Sequence, residues 1–361
     1  MSDHFGTAMN AAVPTSDSMH DEQDTAKPVA TSSAASMPKS DTWEGPTYYG
    51  RSQLKAAVFN NWIVGGYIFL AGLSGGSMMV STVAEAVNGK RGAGVGRRGR
   101  YLSMLAPTIG SLLLIADLHT PQRFYNMYRI FKQTSPMSIG TYILSAFIGF
   151  SGLGFVAQLA ADFIPGFGWA ARFARLSSAP AAVTGAGLST YTAALLAATS
   201  TPYWAASPSL LAVRFGSSSV ASGAAALSIG ERSPAIKATL QTISAVALAT
   251  ELVATTVSHK EVERKGVGEA LKGKWGKREE VFVLGLGVVL PLGVYALTRL
   301  SGRRMNGLSD LAALATIAGS GILRVSTLGI GGESASRPDI SFRFSQPENL
   351  PKRRFRISRR H

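Results

Sequence analysis

The sequence predicts an all-α protein that crosses a membrane eight times, and three observations carry that prediction. Only 16% of its 361 residues are charged and 46% are hydrophobic, whereas a soluble domain carries about 25% charge. The apolar residues fall in long runs, and a bilayer core of about 30 Å is spanned by about 20 such residues in a helix. Small residues are dense within the runs, as at Gly72, Gly75, Gly76 and Ser77 or at Ala221, Ser222, Gly223 and Ala224. Such residues let membrane helices approach closely. A soluble bundle needs a charged face on most helices, and these runs lack one.

The runs lie at 62–84, 101–118, 139–161, 179–199, 207–229, 238–257, 281–300 and 308–328. The first, third, sixth and seventh are uninterrupted. Glu85 closes the first and reads as a surface residue. The second is short and ends at Asp117. Ser135-Pro136-Met137-Ser138 reads as the start of the third helix, with Ser138 capping its free N–H groups. The fifth run is broken by Arg214 and by serines and glycines; Arg214 is expected to reach the interface, as long basic side chains do.

The flanking segments differ from the runs. The first fifty residues hold seven acids and two lysines; residues 1–55 read as a disordered tail, without the basic-then-apolar order of a signal peptide. Residues 56–331 form the membrane domain. Residues 332–361 read as a polar tail with six basic residues between Lys352 and Arg360, suited to anionic head groups or an acidic partner, or simply to solvent. Eight crossings put both termini on one side. The loop with Lys90, Arg91, Arg97, Arg98 and Arg100 pulls toward the cytoplasm. The segment 258–280 pulls the other way with seven Lys/Arg among five Glu. Orientation therefore stays open.

The chemistry is narrowed by what is missing. There is no cysteine, which excludes disulfides, thiol catalysis and an iron–sulfur cluster held by this chain. Histidines stand at 4, 20, 119, 259 and 361, none in the middle of a run, which argues against a transmembrane haem. No metal-ligand cluster appears. The net charge of +15 is spread over loops and tails and does not point to nucleic acid. Polar residues at or inside the runs remain, and these default to functional hypotheses because burying them in a bilayer is costly. Asp117, His119 and Arg123 cluster where the second run meets water; as a plain alternative, Asp117 and Arg123 form an interfacial ion pair. Glu251 lies in the sixth run and Arg324 in the eighth, each expected to face protein interior and to suit the other's charge.

Several motifs, in order, resemble the NrfD/PsrC family, the membrane subunits of polysulfide reductase-type molybdoenzyme complexes. Trp62-Ile63-Val64-Gly65-Gly66-Tyr67 through Gly72-Leu73-Ser74-Gly75-Gly76 is similar to its first helix. Asp117-Leu118-His119-Thr120-Pro121-Gln122-Arg123-Phe124 resembles its DLGxPxRF segment, and Ser135–Gly140 its SPMSxG segment. Tyr191 with Pro202-Tyr203-Trp204 resembles its fourth helix, and Ala221-Ser222-Gly223 its fifth. Pro291 and Ile317-Ala318-Gly319 with Arg324 resemble its seventh and eighth.

The resemblance implies eight helices in two four-helix bundles within the cell's inner (cytoplasmic) membrane. It implies a subunit that binds menaquinone or ubiquinone from the quinone pool. Electrons then pass to or from a partner iron–sulfur subunit serving a molybdopterin catalytic subunit. The implied quinone-binding residues are Asn61, Tyr67, Arg123 and Tyr191. Tyr67 stands where the family has a histidine; a tyrosine donates to a quinone carbonyl but is a poorer base, its reference pKa being about 10. Asp117 and His119 are the titratable groups nearest to take quinol protons; His119 replaces the family's glycine, and an unperturbed pKa of about 6.5 suits a relay. A rival reading is a secondary transporter or proton channel conducting through Glu251 and Arg324, and a third is a purely structural anchor.

Overall fold

The structure, a computed structural model, describes residues 54–57, 60–116, 121–129, 131–301 and 306–346. Among them every regular element is a helix. The longer ones are α1 (Asn61–Asn88), α2 (Ala93–Ala116), α3 (Pro136–Phe163) and α4 (Ala170–Ala197). The short α5 (Pro202–Ala206) precedes α6 (Pro208–Ser228) and α7 (Pro234–Arg264). A composite rod follows, made of α8 (Lys274–Arg278), a π-helical segment (Glu279–Val289) and α9 (Leu290–Ser301). Last come α10 (Asn306–Ser336) and α11 (Pro338–Phe344).

Six stretches are long and apolar enough to cross a membrane: Asn61–Ile115, Pro136–Phe163, Pro208–Ser228, Pro234–Arg264, Lys274–Ser301 and Asn306–Ser336. The first, of 55 residues, is two helices. A 3-10 turn over Gly89–Gly92 reverses the chain, with Gly89 at φ +54°, a left-handed conformation that glycine adopts without penalty. Helix α2 then runs back along α1, where Gly92, Gly99 and Gly110 meet Ala84, Ser81 and Tyr67 in turn. The expected fourth run is the one that does not qualify: α4 contains Arg172, Arg175 and Pro180. Outward positions carry large apolar side chains, such as Leu176 and Val183 at 73% and 74% exposure, while serine, glycine and alanine line the inside. That is the reverse of a soluble bundle and suits a lipid surround.

Helix α1 is central. It packs on α2, α4, α6 and α10, while α3 lies against α2 and α4, and α7 and the π-helical segment complete the contacts of α6 and α10. Gly75 lies against Gly185 and Ser189 of α4, and Gly76 against the Ser219 backbone of α6. Asn60 starts α1, its Oδ1 accepting from the N–H groups of Trp62 and Ile63 at 3.1 and 3.3 Å. Trp204 pins α5 to α10: its indole N–H donates to the Thr327 carbonyl at 2.8 Å, and its ring covers Gly331.

Four local expectations are corrected. Helix α2 begins at Ala93, not 101, and α4 at Ala170, not 179, because arginines read as loop find partners elsewhere in the fold: Arg97 pairs with Asp162 on α3 at 2.8 Å, Arg98 with Glu231 just before α7, and Arg175 with Glu85 on α1 at 3.4 Å. Glu85 is buried rather than at the surface, bound by Arg100 at 2.7 Å, whose Nε also donates to Gln158. The cap of α3 is Ser135, whose hydroxyl accepts from the Ser138 N–H at 3.4 Å; the Ser138 hydroxyl instead accepts from the Lys132 N–H. The chain also stays helical past 331: α10 continues to Ser336, and α11 inserts fully buried Ile340 into the core.

Candidate functional site

Two regions hold the polar residues singled out above. The first surrounds the N-terminal end of α1. Asn61 is the first residue of that helix and is half-buried. Tyr67 follows within two turns and packs at the edge of a cluster containing Val64, Ile68 and Leu323. Tyr191, on α4, belongs to a different cluster with Met78, Phe147 and Leu188, and its ring covers Gly140 in the turn that opens α3. Ala71, one turn beyond Tyr67, packs against that second cluster. The antiparallel contact of Gly75 with Gly185 and Ser189 thus sets Tyr191 about one turn from the level of Tyr67. The two tyrosines approach one end of the α1–α4 contact without sharing a cluster. Arg123 lies in the 3-10 segment Pro121–Tyr128. Asp117 and His119 lie outside the described residues.

The second region lies inside α6, α7, the π-helical segment and α10. Arg214 is fully buried, not at an interface. Its guanidinium donates to Glu279 at 2.5 Å and to the Tyr203 hydroxyl at 3.1 Å. Glu279 is itself fully buried and also meets His259 Nε2 at 2.9 Å, while His259 keeps a quarter of its side chain exposed. Burial, reinforced by the charge of Glu279, pushes the Tyr203 phenol up to about 12, so it stays protonated at neutral pH. Charges this deep require partners, and the cluster supplies them.

One turn further along α6, Ser218 accepts from Arg324 at 2.8 Å. The same guanidinium donates to the Ser219 and Ser320 hydroxyls and to the Phe215 and Ser320 carbonyls. Glu251 is 2% exposed and faces Ser218, with Arg324, Arg214 and Glu279 around it. The structure therefore brings Glu251 and Arg324 to one hydroxyl, but they are not an ion pair within 4.0 Å. Sequence reasoning missed Glu279, His259 and Tyr203. One signal was present: a lone arginine in an apolar run demands an acid from another helix.

The family described as "Polysulphide reductase, NrfD" matches residues 52–328 of the protein. A segment of 90 residues is 30% identical to the C subunit of the polysulfide reductase of Wolinella succinogenes. That alignment covers 24% of this protein and 28% of the relative, so it spans well under half of either.

Proposed function

The chain belongs to the polysulphide reductase NrfD family, and from that membership we propose that it is the quinol-interacting membrane anchor of a respiratory oxidoreductase. The observation that carries the reading is the family match across 52–328 on a helical framework long and apolar enough for several crossings. In this reading all eight long helices cross the inner membrane as two groups of four, α1–α4 and α6–α10. Helix α4 is included because its arginines sit near its N-terminal end.

Quinol, as menaquinol or ubiquinol, docks at the α1–α4 end. There Tyr191 offers a phenol among apolar neighbours, with Asn61, Tyr67 and Arg123 as further donors. A quinol oxidised here loses two electrons and two protons. The protein has no cysteine, so the electrons go to an iron–sulfur cluster of a partner subunit, which serves a molybdopterin catalytic subunit. The protons leave through Asp117 and His119. The reverse direction obeys the same chemistry.

Purification of the tagged protein in mild detergent, with iron, molybdenum and quinone assayed in the eluate, tests the proposal. Co-elution of an iron–sulfur protein and a quinone is expected; a protein that elutes alone, free of metal and quinone, overturns it. Two variants refine it. Asp117→Asn is expected to slow quinol turnover in the assembled complex without reducing assembly, and normal turnover excludes the proton-exit role. Tyr191→Phe removes one donor while keeping the ring over Gly140. It is expected to weaken quinol use by roughly tenfold, as loss of one hydrogen bond to a ligand does. An unchanged KM and kcat in steady-state assays removes Tyr191 from the site.

A further inference from the structure

Three long helical stretches meet at one end of the molecule: α7 starts there at Pro234, the rod stops with α9 at Ser301, and α10 starts at Asn306. Each belongs to a stretch long and apolar enough to cross a membrane, so their shared end lies at a bilayer surface. Between them opens a cavity of about 630 Å³, within the range of about 300–1,000 Å³ typical of small-molecule sites. The space exists because alanines face it: Ala235, Ala238 and Ala245 on α7 and Ala296 on α9. Elsewhere in the protein such small residues draw helices into contact; here they line a cleft.

The cleft is polar at its mouth and apolar along its depth. Lys237, Gln241 and Thr242 come from the first turns of α7, Arg299 from the last turn of α9, and Asn306 and Ser309 from the first turn of α10. Deeper along the helices the lining is Ala245, Val246 and Leu292. The α7 wall runs from Pro234 to Val246, about 18 Å of helix at a rise of 1.5 Å per residue. Val246 is 63% exposed, so the deep wall is continuous with the lipid-facing surface. Tyr295 stands buried at the back, its hydroxyl facing Ser244 and Thr316.

The mouth carries a definite charge balance. Lys237 is neutralised by Asp310, its Nζ lying 2.7 Å from Oδ1. Arg299 forms no ion pair with a described residue; its guanidinium donates to the neutral Thr242 hydroxyl at 3.1 Å. The first turn of α7 also lines the mouth, and its N-cap residue Ser233 makes no side-chain capping bond. The N–H groups of that turn therefore add the partial positive charge of a helix start, which favours anions. One uncompensated cation and one uncapped helix start thus face the opening of an otherwise apolar cleft.

From this charge balance and polarity we infer that the cleft is a binding site for one anionic phospholipid, of the phosphatidylglycerol type, whose phosphodiester carries a single negative charge. Basic pockets between membrane helices hold such head groups. The phosphate oxygens accept from the Arg299 guanidinium, a charge-assisted bond, and from the first-turn N–H groups of α7. Gln241, Asn306 and Ser309 serve the uncharged hydroxyls of the head group. An acyl chain runs over Ala245, Val246 and Leu292. Other occupants match the lining less well. Free phosphate leaves the apolar depth unfilled. A quinone has no charge to offer Arg299. A zwitterionic lipid brings an ammonium group beside Lys237 and Arg299. Asp310 sets the selectivity, because by holding Lys237 it leaves one net positive charge for one phosphodiester. The site lies on different helices from the quinol site and stands whether or not quinol binds.

The full-length protein, purified in mild detergent and stripped of lipid, is titrated with phosphatidylglycerol and with phosphatidylethanolamine of the same acyl chains. Native mass spectrometry counts the bound molecules, and a thermal melt reads the stabilisation that binding confers. Phosphatidylglycerol is expected to fill one site roughly tenfold more tightly than phosphatidylethanolamine and to raise the melting midpoint. Arg299→Gln is expected to abolish that preference, as loss of one charge-assisted bond does. Asp310→Asn, which frees Lys237, is expected to tighten phosphatidylglycerol binding. Ala245→Phe, which fills the apolar depth, is expected to remove the site, whereas Lys90→Gln, in an exposed turn outside the cleft, is expected to leave it intact. Equal melting of the lipid-free variants shows that fold is not the cause. Equal affinity for the two lipids, a preference that survives Arg299→Gln, or displacement of phosphatidylglycerol by inorganic phosphate or decylubiquinone overturns the assignment.

Discussion

Replacing Glu279 by alanine is expected to cost about 3–5 kcal/mol, the penalty for leaving a buried charge without its partner. Arg214 and Glu279 are both fully shielded, at 1% and 0% side-chain exposure. Without the carboxylate, Arg214 keeps the neutral Tyr203 hydroxyl and loses its ion-pair partner, with only the more distant field of Glu251 to offset its charge. The guanidinium cannot escape by losing a proton, and at 1% side-chain exposure it does not reach the interface. His259 loses its acceptor in the same step. The thermal midpoint of the detergent-solubilised protein should drop by roughly 10 °C on such a loss. Arg214→Met combined with Glu279→Leu should be less damaging than Glu279→Ala alone, since replacing both charges with apolar side chains removes the desolvation penalty. If Glu279→Ala melts with the wild type, the pair is not buried as described.

How far the sequence could lead is visible in this same pair. The apolar runs were readable because length and composition alone decide whether a helix suits a bilayer. The cost of charge within a run marked Glu251 and Arg324, and both are buried where the run positions imply. Motifs in order marked the family. What sequence cannot encode locally is which face meets which. Arg214 looked like a residue reaching for the interface because its partner lies 65 positions away at the head of another run. Glu279 stood among lysines and arginines between 258 and 280 and read as part of a charged loop. Glu85 and Arg100 failed in the same manner: each sits at the end of a run, and only the antiparallel return of α2 brings them within 2.7 Å. The early start of α4 was hidden by Arg172 and Arg175, which interrupt the apolar pattern without interrupting the helix. The tyrosines of the proposed quinol site were found by resemblance rather than by periodicity, since a tyrosine in an apolar run has no signature of its own.

Gly76→Val is expected to prevent accumulation of folded protein. A Cβ at Gly76 would fall on the Ser219 carbonyl of α6, and one at the facing Gly223 would lie 2.5 Å from the backbone of Gly76 and Ser77. Both obstacles are main chain, so no rotamer change relieves them and the helices must separate. Overpacking a core costs about 1–3 kcal/mol where side chains can shift; here the whole α1–α6 contact moves, and α1 also holds α2, α4 and α10. The loss should exceed that range and appear as protein retained in aggregates rather than as a monodisperse peak in detergent. Gly149→Ala provides the contrast, because nothing lies within 4 Å of a Cβ there. That variant should be neutral or more stable by about 0.5–1 kcal/mol, the usual gain from alanine in a helix. The comparison also separates two meanings of the Gly72–Gly76 motif on α1. Were its glycines there to admit quinol, Gly76→Val would fold and lose only turnover. Contact with α6 backbone predicts instead that folding fails first, which makes the motif a helix-packing device that positions Tyr67 and the α1–α4 end.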